Sequence, residues 1–249
     1  MRIAEGIEML EIASTVMGRA VGVYPTLLWD AESAVLVDAG YPGQYNLLRA
    51  AIAAAGVPFT RLRAIILTHG DVDHIGNLAA LEEAAGPDTT VLSGIPERPI
   101  IQGDIPSPRY TPEAMERMLS ALPPDVAAQR RKVFEAMQAH PITARVDRGV
   151  ADGEVLPYCG GLTVIAMPGH TPGHIDLYHA ASKTLIAGDT LTIVDGHLAR
   201  PAPTIDLDRA AAGRSLHKLL AFDIATVISY HGGVFRGDAR AQIAALVEG

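Results

Sequence analysis

Seven stretches of the chain are apolar almost without interruption, and glycine, proline or a polar turn bounds each of them. They are "AVLVDAG" (Ala34 to Gly40), "RAIILTH" (Arg63 to His69), "TTVLSG" (Thr89 to Gly94) and "LTVIAMPG" (Leu162 to Gly169), followed by "HIDLYHA" (His174 to Ala180), "TLIAGD" (Thr184 to Asp189) and "ATVISYHG" (Ala225 to Gly232). Runs this short, rich in β-branched residues, predict strands buried on both faces. A longer period separates them. "YNLLRAAIAAAG" repeats apolar residues at Leu47, Leu48, Ala51, Ile52 and Ala55 and stops at Gly56, as a capped helix does. "NLAALEEAAG" ends in the same way at Gly86, and "TPEAMERMLSAL" begins with Thr111 as cap and Pro112 in the first turn. "DVAAQRRKVFEAMQAH", with Asp125 as the expected cap, "LDRAAAGRSLHKLLAF" and "DARAQIAALVE" complete the set.

This alternation predicts one layered α/β domain over residues 1–249. The stretch from Ile95 to Pro141 breaks the rhythm, being proline-rich and then helical. An insertion of that kind is expected to cap or wall a site. It offers Arg98, Arg109 and Tyr110 as polar contacts, and Met115, Met118 and Met137 as flexible apolar ones. Tyr24 and Trp29 are further candidates for the same pocket.

Composition narrows the partners. Apolar residues make up 49% of the chain, yet no run approaches the roughly 18 residues of a membrane span. A net charge of −8 argues against a nucleic-acid partner, and the basic cluster Arg130, Arg131 and Lys132 reads as a solvated helix face. The N-terminal stretch carries Glu5, Glu8 and Glu11 rather than a basic and then apolar leader, and the single Cys159 fits a reducing compartment. The expectation is a cytoplasmic monomer or homodimer acting on a small molecule, with no membrane partner.

The polar residues then fall into a pattern. "LTHGDVDHIGN" packs two histidines and two aspartates between His69 and His74. Four apolar runs lead into a potential metal ligand: His69, His170, Asp189 and His231. Strand ends on one edge of a buried sheet converge, and α/β proteins place their ligand sites there. His140, His179, His217 and His197 have ordinary structural readings, although His197 lies in a loop that could line the pocket. In "PGHTPGHI", Pro172 and Gly173 exclude a helix, so His170 and His174 do not share a helical face. Spacing alone does not decide which of the two is a ligand.

In sequence, "HGDVDH", "PGHTPGH", "AGD" and "YHGG" resemble the metallo-β-lactamase-fold hydrolase superfamily, whose motif is His-x-His-x-Asp-His, a distant His, a bridging Asp and a last His. The early "VLVDAG" resembles that family's strand and turn before the motif. The resemblance implies an αββα sandwich holding two divalent ions, Zn²⁺ first, with Fe²⁺ or Mn²⁺ as alternatives. It assigns His69, Asp71 and His170 to the first ion, Asp73, His74 and His231 to the second, and Asp189 to both. It selects His170 over His174, and it makes Asp73 and Asp189 the groups that orient a metal-bridging hydroxide.

Departures matter too. Asp71 stands where the family has histidine, which lowers the charge of the site by one unit and favours harder metals. A competing role for Asp71 is the N-cap of the following helix. Cys159 is remote from the strand ends, and Thr192 stands near the place where related lactonases carry a tyrosine. The expected activity is hydrolysis of a small ester, lactone or thioester. An iron-dependent oxygenase or redox protein, or a non-catalytic binding member of the fold, are the alternatives.

Overall fold

Neighbouring residues in the apolar runs belong to different cores, which is why the runs are continuous. In the computed structural model, which describes residues 1–16 and 19–248, Val35 and Val37 pack into the space between two sheets. Ala34 and Leu36 face the opposite way, into a helix-covered core. Ala64 and Ile66 alternate with Ile65 and Leu67 in the same manner. In the second sheet Ile186 and Ile228 face inward while Leu185, Ala187 and Val227 face a third core. Period-two side chains with helices on both outer faces leave no strand face for polar residues. Met17, Gly18 and Gly249 lie outside the described residues.

The first half of the chain gives β1 (Arg2–Ala4), β2 (Ile7–Met9), the hairpin strands β3 (Ile12–Val16) and β4 (Arg19–Val23), then β5 (Thr26–Trp29) and β6 (Ala34–Val37). Helix α1 (Tyr45–Ala54) leads to β7 (Leu62–Leu67), α2 (Val72–Ile75), α3 (Leu78–Ala85) and β8 (Thr90–Gly94). The insertion follows, with α4 (Arg98–Ile101), a 3₁₀ turn (Pro108–Tyr110), α5 (Pro112–Leu119) and α6 (Pro124–Ala139), before β9 (Arg148–Val150). The second half supplies β10 (Val155–Leu156), β11 (Leu162–Ala166), β12 (Ile175–His179), β13 (Thr184–Ala187), the hairpin β14 (Thr192–Val194) and β15 (His197–Ala199), α7 (Arg209–Leu219), β16 (Thr226–Ser229), β17 (Gly233–Arg236) and α8 (Ala239–Glu248).

The first sheet runs β1-β2-β5-β6-β7-β8-β9 and the second β10-β11-β12-β13-β16-β17, and the layers are αββα. Strands β6 to β9 are parallel, as are β13 and β16, so their C-terminal ends share one edge of the sandwich. All seven long apolar runs are strands. The short strands were not evident from apolar patterning because most lie at sheet edges or in two-stranded hairpins.

Capping differs in one place from expectation. Thr111 accepts the Ala114 N–H, but α6 starts at Pro124, so Asp125 lies inside its first turn rather than capping it. No helix among the described residues is long and apolar enough to cross a membrane.

Candidate metal centre

The chain leaves three strands of the shared edge with polar residues that meet. β7 runs into Thr68 and His69, β13 into Gly188 and Asp189, and β16 into Tyr230 and His231. The turn after β11 brings His170 to the same place. Gly188 is needed there, because a Cβ would lie 2.7 Å from Thr68 Oγ1 and 2.8 Å from His174 Nε2. Helix α2 then turns Asp73 and His74 back over the edge.

Two cages result. In one, His231 Nε2 lies 3.0 Å from Asp73 Oδ2 and 3.5 Å from Asp189 Oδ1. His74 Nε2 lies 3.3 Å from Asp189 Oδ1 and 3.7 Å from Asp73 Oδ2. In the other, His170 Nε2 lies 3.4 Å from Asp189 Oδ2 and 3.3 Å from Asp71 Oδ2, which is 3.5 Å from His69 Nε2. Ligands about 2.0–2.1 Å from a tetrahedral ion stand about 3.3–3.4 Å apart, so both sets have the spacing of a coordination shell. Asp189 faces each cage with one oxygen.

The donor set fits a metal on a second count. His69 Nε2, His74 Nε2 and Asp189 Oδ1 are buried without a hydrogen-bond partner among the described residues. Buried polar atoms are ordinarily paired, and here the orphaned acceptors converge. Two trios, His69 with His170 and Asp189, and Asp73 with His74 and His231, each bring ligand atoms within 4.8 Å of one another. Asp71 is in neither trio, although it lies beside both histidines of the first. All seven sequence candidates are therefore in one cluster.

Asp71 does precede α2, but its side chain caps no helix N–H. It turns into the site, where Arg109 Nε donates to Oδ1 at 3.0 Å and Nη2 lies 2.7 Å from Oδ2. Burial alone would raise the Asp71 carboxyl, but the guanidinium and His69 hold it well below the ordinary value. Burial likewise disfavours charge on His74, yet Asp38, Asp189 and Asp73 outweigh it and push the imidazole well up. The carboxylates thus favour positive charge at His74, whereas burial and the neighbouring histidines push His69 down.

In "PGHTPGHI", His170 Nε2 enters the first cage, 3.4 Å from Asp189 Oδ2, whereas His174 lies behind Asp189 and its Nε2 accepts the Asp189 N–H at 2.9 Å. His174 is a buried prop for Asp189. His197 is exposed on β15, away from the cavity.

Several supporting residues escaped sequence reasoning. Asp38, buried after β6 at φ +64°, accepts from Thr68 N–H at 2.8 Å and bonds His74 Nδ1 at 2.9 Å. That bond leaves His74 Nε2 as the free lone pair facing the cage. Tyr230 stacks on His74 with ring centroids 3.9 Å apart and donates to the Asp73 carbonyl at 2.5 Å. Glu97 is 1% exposed and ties both histidine loops together. Its Oε1 accepts Gly70 N–H at 3.0 Å, and its Oε2 accepts Gly173 N–H and Thr171 Oγ1–H, each at 2.9 Å. Asp206 lies 3.5 Å from His170 Nδ1. A lone aspartate ending the buried run "VLVDAG" was the one available signal. Glu97 sits in a loop without pattern.

A cavity of about 520 Å³ opens beside the carboxylates of Asp71, Asp73 and Asp189. The insertion supplies Arg109, Tyr110, Met118, Phe134 and Met137 to its wall. Four other pocket candidates lie elsewhere. Arg98 is exposed and bonds Gln102, and Met115 does not line the cavity. Tyr24 packs against the inter-sheet core, and Trp29 lies beneath the Arg2 guanidinium. Tyr41 lines the cavity instead. Burial, and then the charges of Asp73 and Asp189, push its hydroxyl pKa upward, which keeps it protonated.

Comparison with known proteins agrees with this architecture. The chain is 30% identical to the probable metallo-hydrolase YflN of Bacillus subtilis (strain 168), over 82% of this chain and 76% of that protein. It is 31% identical to a hydroxyacylglutathione hydrolase of Pseudomonas paraeruginosa (strain DSM 24068 / PA7), over 68% of this chain but 47% of that enzyme. A metallo-beta-lactamase family protein from Thermus thermophilus superposes with a TM-score of 0.67 at 24% identity, covering 98% of this chain and 79% of that one. Residues 18–231 match the family described as the metallo-beta-lactamase superfamily, and the chain belongs to it.

Proposed function

We propose that the protein is a dinuclear metal-dependent hydrolase of a small ester, lactone or thioester with an apolar body. The observation that carries this reading is Asp189, whose two carboxylate oxygens face two cages of coordination spacing. His69, Asp71 and His170 would hold the first ion with Asp189, and Asp73, His74 and His231 the second. Zn²⁺ suits the imidazoles, while the extra carboxylate of Asp71 favours Mn²⁺ or Fe²⁺ more than a histidine there would. Bound divalent ions supply an activated water near neutral pH and polarise the scissile carbonyl.

The chain's own groups do the rest. In the metal-free chain burial would raise the carboxyl of Asp73, but the charges of His74 and His231 keep it low, so it stands ionised, as a ligand or a hydrogen-bond acceptor for water must be. Asp189 is held well below the ordinary range, against its burial, by His231 and His74. Tyr41 presents a protonated phenol to the same cavity and can donate to a leaving oxygen or sulfur. Met118, Phe134, Met137 and Ile205 form an apolar wall suited to a hydrocarbon body, and Arg130 stands at its edge. A cytoplasmic monomer or homodimer without a nucleic-acid partner accords with the charge balance and the lone cysteine.

The test is a panel of lactones, thioesters, aryl esters and phosphodiesters, assayed with protein reloaded separately with Zn²⁺, Mn²⁺ and Fe²⁺. Turnover of a carbonyl ester class, abolished by chelation and restored by metal, is expected. Full metal occupancy without turnover of any class would point to a binding protein and overturn the reading.

A further inference from the structure

Arg109 is the only arginine whose side chain is buried at the metal centre among the described residues, being 5% exposed. It comes from the insertion, not from the metal-binding motif. Its Nη1 donates to the Ile205 carbonyl, its Nε and Nη2 grip Asp71, and its Nη2 also lies 2.6 Å from His170 Nε2. An arginine has no acceptor, so His170 Nε2 must accept this bond.

That bond has a consequence for loading. A neutral imidazole nitrogen offers one lone pair, which goes either to a hydrogen-bond donor or to a metal. The same guanidinium nitrogen lies 2.7 Å from Asp71 Oδ2, so Arg109 spans the Asp71–His170 edge of the first cage. No arginine or lysine pairs with Asp73, His74 or His231 in the second cage among the described residues. The two cages share Asp189 and have similar ligand spacing, yet among the described residues only the first has an arginine in contact with its ligands.

We infer that Arg109 is an internal counter-cation that competes with metal for the first cage, so that the chain fills the second cage first. Asp71 makes this possible, because a histidine there would leave the guanidinium without its bidentate partner. Filling the first cage requires Arg109 to release His170. Asp71 and Arg109 together set the order and strength of metal uptake.

The inference rests on the two-ion reading above, and one experiment separates the two. Full-length protein, stripped by chelation, is dialysed against buffered free Zn²⁺, and bound zinc is counted by elemental analysis. The wild type should take one ion per chain and then a second at no less than about tenfold higher free Zn²⁺. Arg109→Met should tighten the second uptake step by about tenfold or more, while Arg109→Lys, which keeps the charge but loses the bidentate fork, should fall between Arg109→Met and wild type. Unchanged constants in Arg109→Met would overturn the role of Arg109 and leave the two-ion reading standing. If neither protein takes more than one ion, the two-ion reading falls and the inference with it. Anomalous diffraction from wild-type crystals at low and high Zn²⁺ does not depend on the folding of a variant. Arg109 should leave His170 as the first cage fills, and an unmoved Arg109–His170 bond beside a filled first cage would overturn the proposal.

Discussion

The two cages share Asp189 and a ligand spacing, but they are supported in opposite ways. The second is backed by fixed groups from the sheets: Asp38 behind His74, and Tyr230 stacked on the same ring and bonded to the Asp73 carbonyl. The first is held by groups that reach it from the insertion and from the segment before α7: Arg109 on Asp71 and His170, Glu97 under both histidine loops, and Asp206 beside His170. Equal geometry therefore does not mean equal affinity. The scaffold fixes one cage, while the other depends on long-range contacts, most of them from the insertion.

The largest effect should come from the residue that the cages share. Asp189→Ala removes a vertex from both, and loss of several kcal/mol of transition-state stabilisation means hydrolysis falling about a thousandfold or more in steady-state assays. If turnover survives within tenfold, Asp189 does not link the cages. Asp38→Asn strikes the second cage directly, by weakening the support of His74, and reaches the first only through Thr68, whose hydroxyl lies 3.1 Å from His69 Nδ1. Metal affinity of the second cage should drop about 10–100-fold in a zinc titration, with less change in the first cage. Equal weakening of both ions would break the contrast.

Glu97→Gln strikes the other side. One acceptor oxygen becomes a donor, leaving buried N–H or O–H groups of the two histidine loops unpaired. The expected cost is about 2–3 kcal/mol, or about 4–12 °C in Tm by thermal unfolding. The first-cage metal constant should fall more than the second. A variant with unchanged Tm would show that Glu97 is not the tie between the loops.

A last effect is read along pH and concerns the residue behind His174, whose Nδ1 lies 3.7 Å from Asp176 Oδ1. Asp176, which accepts from Thr190 Oγ1–H at 2.8 Å, has its carboxyl pushed up to about 8 by burial, with Thr190 opposing and Asp189 adding to the rise. The unfolded chain has the ordinary value of 3.8. Its contribution to stability is therefore full below about pH 4 and is lost as pH climbs toward 8. Asp176→Asn cannot titrate, so its Tm should fall less than the wild type's between pH 5 and 8. Parallel declines would place the ionisation elsewhere.

The same contrast explains what the sequence made legible. Runs such as "AIIL" and "TLIA" are buried on both faces, so their composition alone marks them as strands. Their ends carry His69, Asp189 and His231, because parallel strands deliver their C-termini to one edge. Those three positions were readable for that reason, whereas Asp71, Asp73, His74 and the choice of His170 came from the resemblance of the motifs to the family. The edge strands are short, and "RIAEGIEM" bends at Gly6 with φ +69°, so no long apolar period survives there. Glu97 and Arg109 were illegible as supports, since their partners are distant in the chain. Nothing near Arg109 announces that it will grip Asp71 rather than a substrate.

The insertion has one more consequence, which follows from where it is anchored. It leaves the first sheet at the end of β8 and returns to β9, and these strands are adjacent and parallel, with Leu92 opposite Arg148 and Gly94 opposite Val150. A detour between neighbouring strands can lengthen, shorten or be exchanged without disturbing the register of any other pair. Doubling a flexible loop adds only about 0.6 kcal/mol of closure entropy. The residues between β8 and β9 thus form an interchangeable part, seated over a fixed catalytic base plate. Grafting that segment between relatives is a route to new selectivity, and it would carry control of metal uptake along with it.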